Sequence, residues 1–96
     1  MPSYLSLISW TDQGVRNVKD SPARLDAVKK VFEAGGGRLI FFYMLMGEYD
    51  LATLIEMPND EAATKALLSI GAAGNIRTTT MKAFTEAEYR AIIASL

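Results

Sequence analysis

The 96-residue sequence contains no cysteine and no histidine. Without cysteine there is no disulfide framework, no thiolate metal site and no thiol nucleophile. Without histidine, the commonest general base near neutral pH and the commonest transition-metal ligand are both missing. A Ser-His-Asp hydrolase and a zinc hydrolase are therefore set aside, and neither a cofactor nor a metal is expected. There is no basic stripe either. Acids and bases are interspersed to a formal net charge of −1, which points away from a nucleic-acid partner held through phosphates. The start, Met1-Pro2-Ser3-Tyr4-Leu5, lacks the charged lead and apolar core of a signal peptide. No apolar run approaches the ~20 residues that span a bilayer. A cytoplasmic location without membrane association is the expectation. Low-complexity segments and Pro/Gly-rich linkers are absent as well, so residues 1–96 are read as one domain.

What is present is apolar surface. Half the residues are hydrophobic, high for a chain whose small size limits its core. A homo-oligomer that buries a further face accounts for the excess. Tyr4 to Trp10 reads as a first strand, closed by Thr11-Asp12, either of which can cap a short helix over about 12–18. Ser21 is a good N-cap and Pro22 suits the first helical position. Leu25, Val28, Val31 and Phe32 then recur at helical spacing, with Arg24, Asp26, Lys29, Lys30 and Glu33 on the solvent side. Gly35-Gly36-Gly37 follows this helix instead of preceding one, and no Lys-Ser/Thr comes after it. It is a helix stop, not a phosphate loop.

A second strand covers about 38–46 and a third about 51–57, joined by Gly47-Glu48-Tyr49-Asp50, a short Gly/Asp-bearing hairpin link. Pro58 stops the third strand. Asn59 or Asp60 caps a helix whose apolar face is Ala62, Ala63, Ala66, Leu67 and Ile70, ending at Gly71–Gly74. Asn75 to Phe84, rich in threonine, is a fourth strand. Thr85 and Glu88 form a capping-box pattern ahead of a last helix carrying Tyr89, Ile92, Ile93 and Leu96. The acidic pairs Asp60-Glu61 and Glu86-Glu88 fall in first turns, where the helix dipole favours them.

The order β-α-β-β-α-β, then α, is the α+β ferredoxin-like pattern with an added C-terminal helix. Right-handed crossovers place both main helices on one face of a four-stranded antiparallel sheet. The other face is left bare. Simple alternation sends Leu39, Phe41, Tyr43 and Leu45 one way and Ile40, Phe42, Met44 and Met46 the other. Burial of each such residue contributes roughly 1.5–3 kcal/mol, so a second row of this kind calls for a homodimer or higher oligomer packed through the open sheet face.

Several segments together resemble a known family. Ser9-Trp10-Thr11-Asp12-Gln13-Gly14, Asn17, Lys19-Asp20-Ser21-Pro22 and Arg24 resemble the opening of the bacterial and archaeal GYD-domain proteins. Gly47-x-Tyr49-Asp50 is that family's namesake pattern. Gly74-Asn75-Ile76-Arg77-Thr78 and Phe84-Thr85-x-x-Glu88-Tyr89 match its end. The resemblance covers essentially the whole chain. It implies a dimeric α/β-barrel arrangement, in which two ferredoxin-like sheets face one another, and it carries no established biochemical role. The second half also resembles the effector-sensing domain of leucine-responsive-type transcription regulators. No helix-turn-helix precedes it here, so ligand sensing or assembly is what carries over.

Seven residues are candidates for ligand contact. Gly47 supplies an unusual φ; Asp50 either bonds nearby backbone or, with Tyr49, borders a cleft or subunit contact. Trp10, the only tryptophan, is a core or interface anchor or else a pocket wall. Beside it Asn17 offers an amide and Arg16 an anion clamp. Tyr43 and Arg77 lie on strands where each faces solvent, a partner or a ligand. Two functions follow. The first is a small-molecule-binding or assembly module that acts as a homo-oligomer. The second is a cofactor-independent enzyme of monooxygenase or isomerase type, with Trp10, Asn17, Tyr43 and Arg77 lining its pocket.

Overall fold

The computed structural model describes residues 1–96. Its elements are β1 (Ser3–Trp10), α1 (Asp12–Arg16), a 3-10 turn (Val18–Asp20), α2 (Ser21–Ala34), β2 (Arg38–Met44), β3 (Leu51–Glu56), α3 (Asp60–Ala72), β4 (Ile76–Ala83) and α4 (Glu86–Ala94). The strands form one antiparallel sheet in the order β2-β3-β1-β4. This is the expected ferredoxin-like arrangement, with the extra C-terminal helix present.

Local chemistry sets most boundaries. The Thr11 side chain accepts from the Gly14 N–H and starts α1. Asn59 accepts from the Ala62 N–H at 2.8 Å and starts α3. Thr85 and Glu88 form a reciprocal capping box at α4. Such caps satisfy backbone donors that no helical carbonyl can reach. One boundary differs from the sequence expectation. Asp20 takes the N-cap of α2, Ser21 is already helical, and the Asp20 side chain makes no capping bond. The 3-10 turn runs straight into the helix, so its last residue supplies the cap position.

On the helix-bearing face, Tyr4, Ser6 and Ile8 of β1 are buried opposite Ile55, Thr53 and Leu51 of β3. β2 departs from simple alternation. Its register with β3 steps from Leu39↔Ile55 directly to Phe41↔Leu54. Ile40 is the extra residue of a bulge, and one extra residue exchanges the two faces beyond it. Leu39 therefore shares the helix-bearing face with Phe42 and Met44, while Phe41 and Tyr43 point to the open face, their rings 5.3 Å apart. The strand also ends at Met44, two residues earlier than expected, and Met46 is wholly exposed.

The core is concentrated at one end. Tyr4, Phe32, Ile55, Met57, Ala63 and Ala66 form its buried cluster, where α2 finishes and α3 begins. At the other end of the chain, α4 buries nothing. The radius of gyration is 14.3 Å, against about 12.5 Å for a compact chain of this length.

Candidate functional site

The helix-bearing face opens toward the end where β1 finishes, α2 begins and α3 finishes. There a cavity of about 260 Å³ lies between the two helices and the sheet. Ile8, Trp10, Leu39, Phe42, Leu51 and Ile76 form its floor, and Leu25, Val28, Val31 and Ile70 form its walls. The polar groups on its lining are Ser21, Arg24, Thr53, Ser69 and Asn75, with no carboxylate among them. An apolar enclosure with a few convergent polar groups is the usual form of a small-molecule site.

The rim is built by two sequence segments that lock together. The Thr11 N–H donates to the Asn75 carbonyl at 3.0 Å. Gln13 Nε2 donates to the Ala73 carbonyl at 3.1 Å and to Asn75 Oδ1 at 3.0 Å. Gly14 is buried so tightly that a Cβ there would come within 2.0 Å of the Asn75 carbonyl oxygen. Only glycine permits this approach. Arg24 then ties α2 to α1, its Nη1 donating to the Asn17 carbonyl at 2.9 Å and its Nη2 to the Gly14 carbonyl at 3.1 Å.

The seven sequence candidates fall into separate places. Trp10 lies on the cavity floor. Asn17 sits beside the rim as the C-cap of α1, its Nδ2 donating to the Gln13 carbonyl at 3.0 Å. Arg16, on the same helix, is exposed and does not line the cavity. Asp50 closes the Leu45–Asp50 loop, where its carbonyl accepts from the Leu45 N–H at 2.7 Å. Its Oδ2 accepts from the Trp10 backbone N–H at 2.9 Å and its own N–H donates to the Ile8 carbonyl at 2.9 Å. Asp50 thus clamps the hairpin to the end of β1 through the backbone of Ile8 and Trp10. Gly47 has φ +138°, a value other residues rarely adopt, and Tyr49 is half-buried beside Asp50. Tyr43 and Arg77 are exposed on β2 and β4, the two edge strands; the register assigns both to the open face, and Arg77 also borders a second cavity between β4 and α3. The structure does not bring Trp10, Asn17, Tyr43 and Arg77 to one pocket.

Arg24 is the residue at the cavity that the sequence reading placed on the solvent side. It is half-buried and lines the cavity. Its spacing carried the signal: Ser21, Arg24, Leu25, Val28 and Val31 follow the i, i+3, i+4, i+7, i+10 progression of one helix face.

A polar chain occupies the far end of the same sheet face. The Tyr4 hydroxyl donates to Asp60 Oδ1, and Lys82 Nζ lies 3.3 Å from that oxygen. Burial first, and then the Asp60 carboxylate, push the Tyr4 hydroxyl up to about 12. The Tyr4 bond and then Lys82 hold the Asp60 carboxyl below its ordinary value. The tyrosine is held protonated, which suits a structural donor more than a base. No cluster of three or more acidic side chains has metal-binding geometry, and no helix is long and apolar enough to cross a membrane.

Comparison with known proteins bears on the family and the fold. The chain is 27% identical over 89 residues to the glutamine synthetase and cystathionine beta-lyase binding protein of Thermus thermophilus, covering 92% of this chain and 94% of that protein. In three dimensions it is similar to the feast or famine regulatory protein of M. tuberculosis, solved with L-methionine, with TM-score 0.67 and 21% identity. That match covers 88% of this chain, which spans 51% of the regulator's length. FFRP-DM1 is similar over its whole length, with TM-score 0.61 and 21% identity, again across 88% of this chain. The structural likenesses concern the fold. The GYD domain itself matches residues 4–93, a span holding the rim segments, the Gly47-to-Asp50 hairpin and the capping box of α4, and the chain belongs to the GYD-domain family.

Proposed function

We propose that this chain is an assembly and ligand-binding module that pairs with a second copy through its open sheet face. One observation carries the reading: the face turned away from the helices is apolar and uncovered. Leu5, Leu7, Ala52, Leu54, Phe41, Tyr43 and Met81 share it, with Tyr43 62% and Met81 43% exposed. Charge is confined to its borders, in the Arg38–Glu56 ion pair at 2.9 Å and Arg77. A two-fold pairing places the same patch on both sides of one interface, so a surface without a dominant charge sign suits a second copy of itself.

The exposed row of α4 extends the argument. Tyr89, Ile92, Ile93 and Leu96 recur at helical spacing and all stand in solvent. A nine-residue helix is marginal in water without packing, so a neighbouring copy supplies what the single chain does not. The Thermus relative, described as binding two enzymes, and the regulator solved with an amino acid both support a role in binding.

Light scattering coupled to size exclusion tests the pairing. The wild-type chain is expected to run as two or more copies at micromolar concentration. The double variant Tyr43→Glu/Met81→Glu is expected to run as one, with unchanged circular dichroism, because both side chains are exposed in the single chain. A stable wild-type monomer overturns the reading.

A further inference from the structure

We infer that the cavity behind Trp10 is a site for a small apolar monocarboxylate that lacks an ammonium group. This rests on reading the open end of the helix-bearing face as a ligand site, and it adds the chemical class. The cavity holds about 260 Å³, room for a ligand on the order of ten non-hydrogen atoms at ~30 Å³ per water displaced. Its floor and walls are aliphatic and aromatic, which selects a branched or aromatic body.

The head group follows from Arg24. Arg24 is half-buried and is one of the residues that line the cavity, and no carboxylate of the chain lies within 4.0 Å of its guanidinium; the ion pairs present join Arg38 to Glu56, Lys82 to Asp60 and Arg90 to Glu86. Two of its five N–H donors are spent on the Asn17 and Gly14 carbonyls. Those two bonds fix the plane of the group while leaving donors and a full positive charge without a counter-ion. A partly desolvated cation of this kind is matched by an anion, and arginine presents the fork that a carboxylate fills. Ser21, one helical turn before Arg24, adds a hydroxyl on the same lining.

An α-ammonium finds no equal partner. None of the residues around the cavity is aspartate or glutamate, so a buried ammonium there would lose its hydration for neutral oxygens alone. The site therefore favours an acid over the amino acid of the same shape. It equally favours the acid over its neutral amide, which forfeits the charge-assisted bonds to Arg24.

The test uses Trp10 as reporter, since it is the only tryptophan and forms part of the floor. Intrinsic fluorescence of the full chain is titrated with 4-methylpentanoate, 4-methylpentanamide and L-leucine, which share one branched body. The acid is expected to bind at least tenfold tighter than the amide, the effect of one charge-assisted bond, and tighter than leucine. Arg24→Gln is expected to bring the acid down to the amide's affinity and leave the amide unmoved; Arg24→Lys is expected to fall between. Equal binding of acid and amide by the wild type overturns the assignment of the head group while leaving a cavity that takes apolar ligands. Tighter binding of leucine overturns the preference against an ammonium. No Trp10 response to any of the three at millimolar concentration overturns the ligand site itself.

Discussion

The two ends of the helix-bearing face are built from the same kinds of residue and packed differently. At the closed end, Ile55 and Met57 have no exposed surface, and Phe32 and Ala63 have almost none. At the open end, Trp10, Leu25 and Ile76 are apolar yet only half-buried around the cavity, which reaches as far as Val28, Leu39 and Ile70 at the margin of the core. The closed end uses alanine at Ala63 and Ala66 to bring α3 down onto the sheet. At the open end the α2 side chains are larger, and a cavity of about 260 Å³ lies between the helices and the sheet. The tightest burial lies in the first region and the apolar cavity in the second, and the two share β1 and β3.

Truncation gives the largest test of that difference. Ile55→Ala removes fully enclosed methyl groups and is expected to cost about 2–5 kcal/mol. Leu25→Ala removes a similar side chain from the wall of an existing cavity and is expected to cost less than half as much, since fewer contacts are lost and no new void is sealed in. Urea denaturation of both variants measures the gap. Equal losses would mean that the cavity is no weaker than the core.

Asp50 belongs to the open end, where it holds the hairpin to β1, and the next effect in size concerns it. Asp50→Ala leaves the Trp10 N–H without its acceptor and is expected to cost about 1–3 kcal/mol. Asp50→Asn keeps an acceptor oxygen and is expected to recover most of that loss. Trp10 emission should shift in the alanine variant only. Full recovery by asparagine assigns Asp50 to holding β1 in place, and failure to recover would mean that its charge matters for another reason.

These contrasts also explain what was legible in the sequence. Caps depend on residues within three or four positions, so the Thr85/Glu88 pair could be read directly and the other two were narrowed to Thr11 or Asp12 and Asn59 or Asp60, of which the structure uses Thr11 and Asn59. Asp50 was legible as a backbone partner but not as a partner of β1, because its acceptor contact lies 40 residues away and exists only once β3 is laid beside β1. The bulge at Ile40 left no trace in the pattern. From Leu39 to Met46 every residue is apolar, so neither face is marked and no alternation reveals the slip. Arg24 was misplaced because charge was allowed to outweigh helical spacing. The cavity depends on how far α2 and α3 stand apart above the sheet, a tertiary quantity that no local signal carries.

The closed end has a pH signature as well. The Tyr4 hydroxyl is raised from the ordinary 10.0 to about 12 in the folded chain. A raised folded-state value means that the folded chain holds this proton more tightly than the unfolded chain does. The stabilisation is thus complete below pH 10 and is lost as pH rises through the range from 10 to 12. Tyr4→Phe is expected to cost about 1 kcal/mol at neutral pH and to flatten the alkaline fall in melting temperature over that range. An unchanged alkaline limb would assign the sensitivity to another group.

The smallest effect decides the comparison most directly, because its sign should reverse between the ends. Val28→Ile adds one methylene at the wall of the cavity, where space already exists, and is expected to stabilise by up to about 0.8 kcal/mol. Ala63→Val enlarges a side chain that is only 2% exposed, between α3 and the sheet. It forces neighbours from their rotamers and is expected to destabilise by about 1–3 kcal/mol. The isoleucine should also weaken binding of 4-methylpentanoate by occupying part of its volume, while the valine should leave that affinity alone. If both substitutions destabilise, the helix-bearing face is packed alike at its two ends, and the space behind Trp10 does not persist in solution.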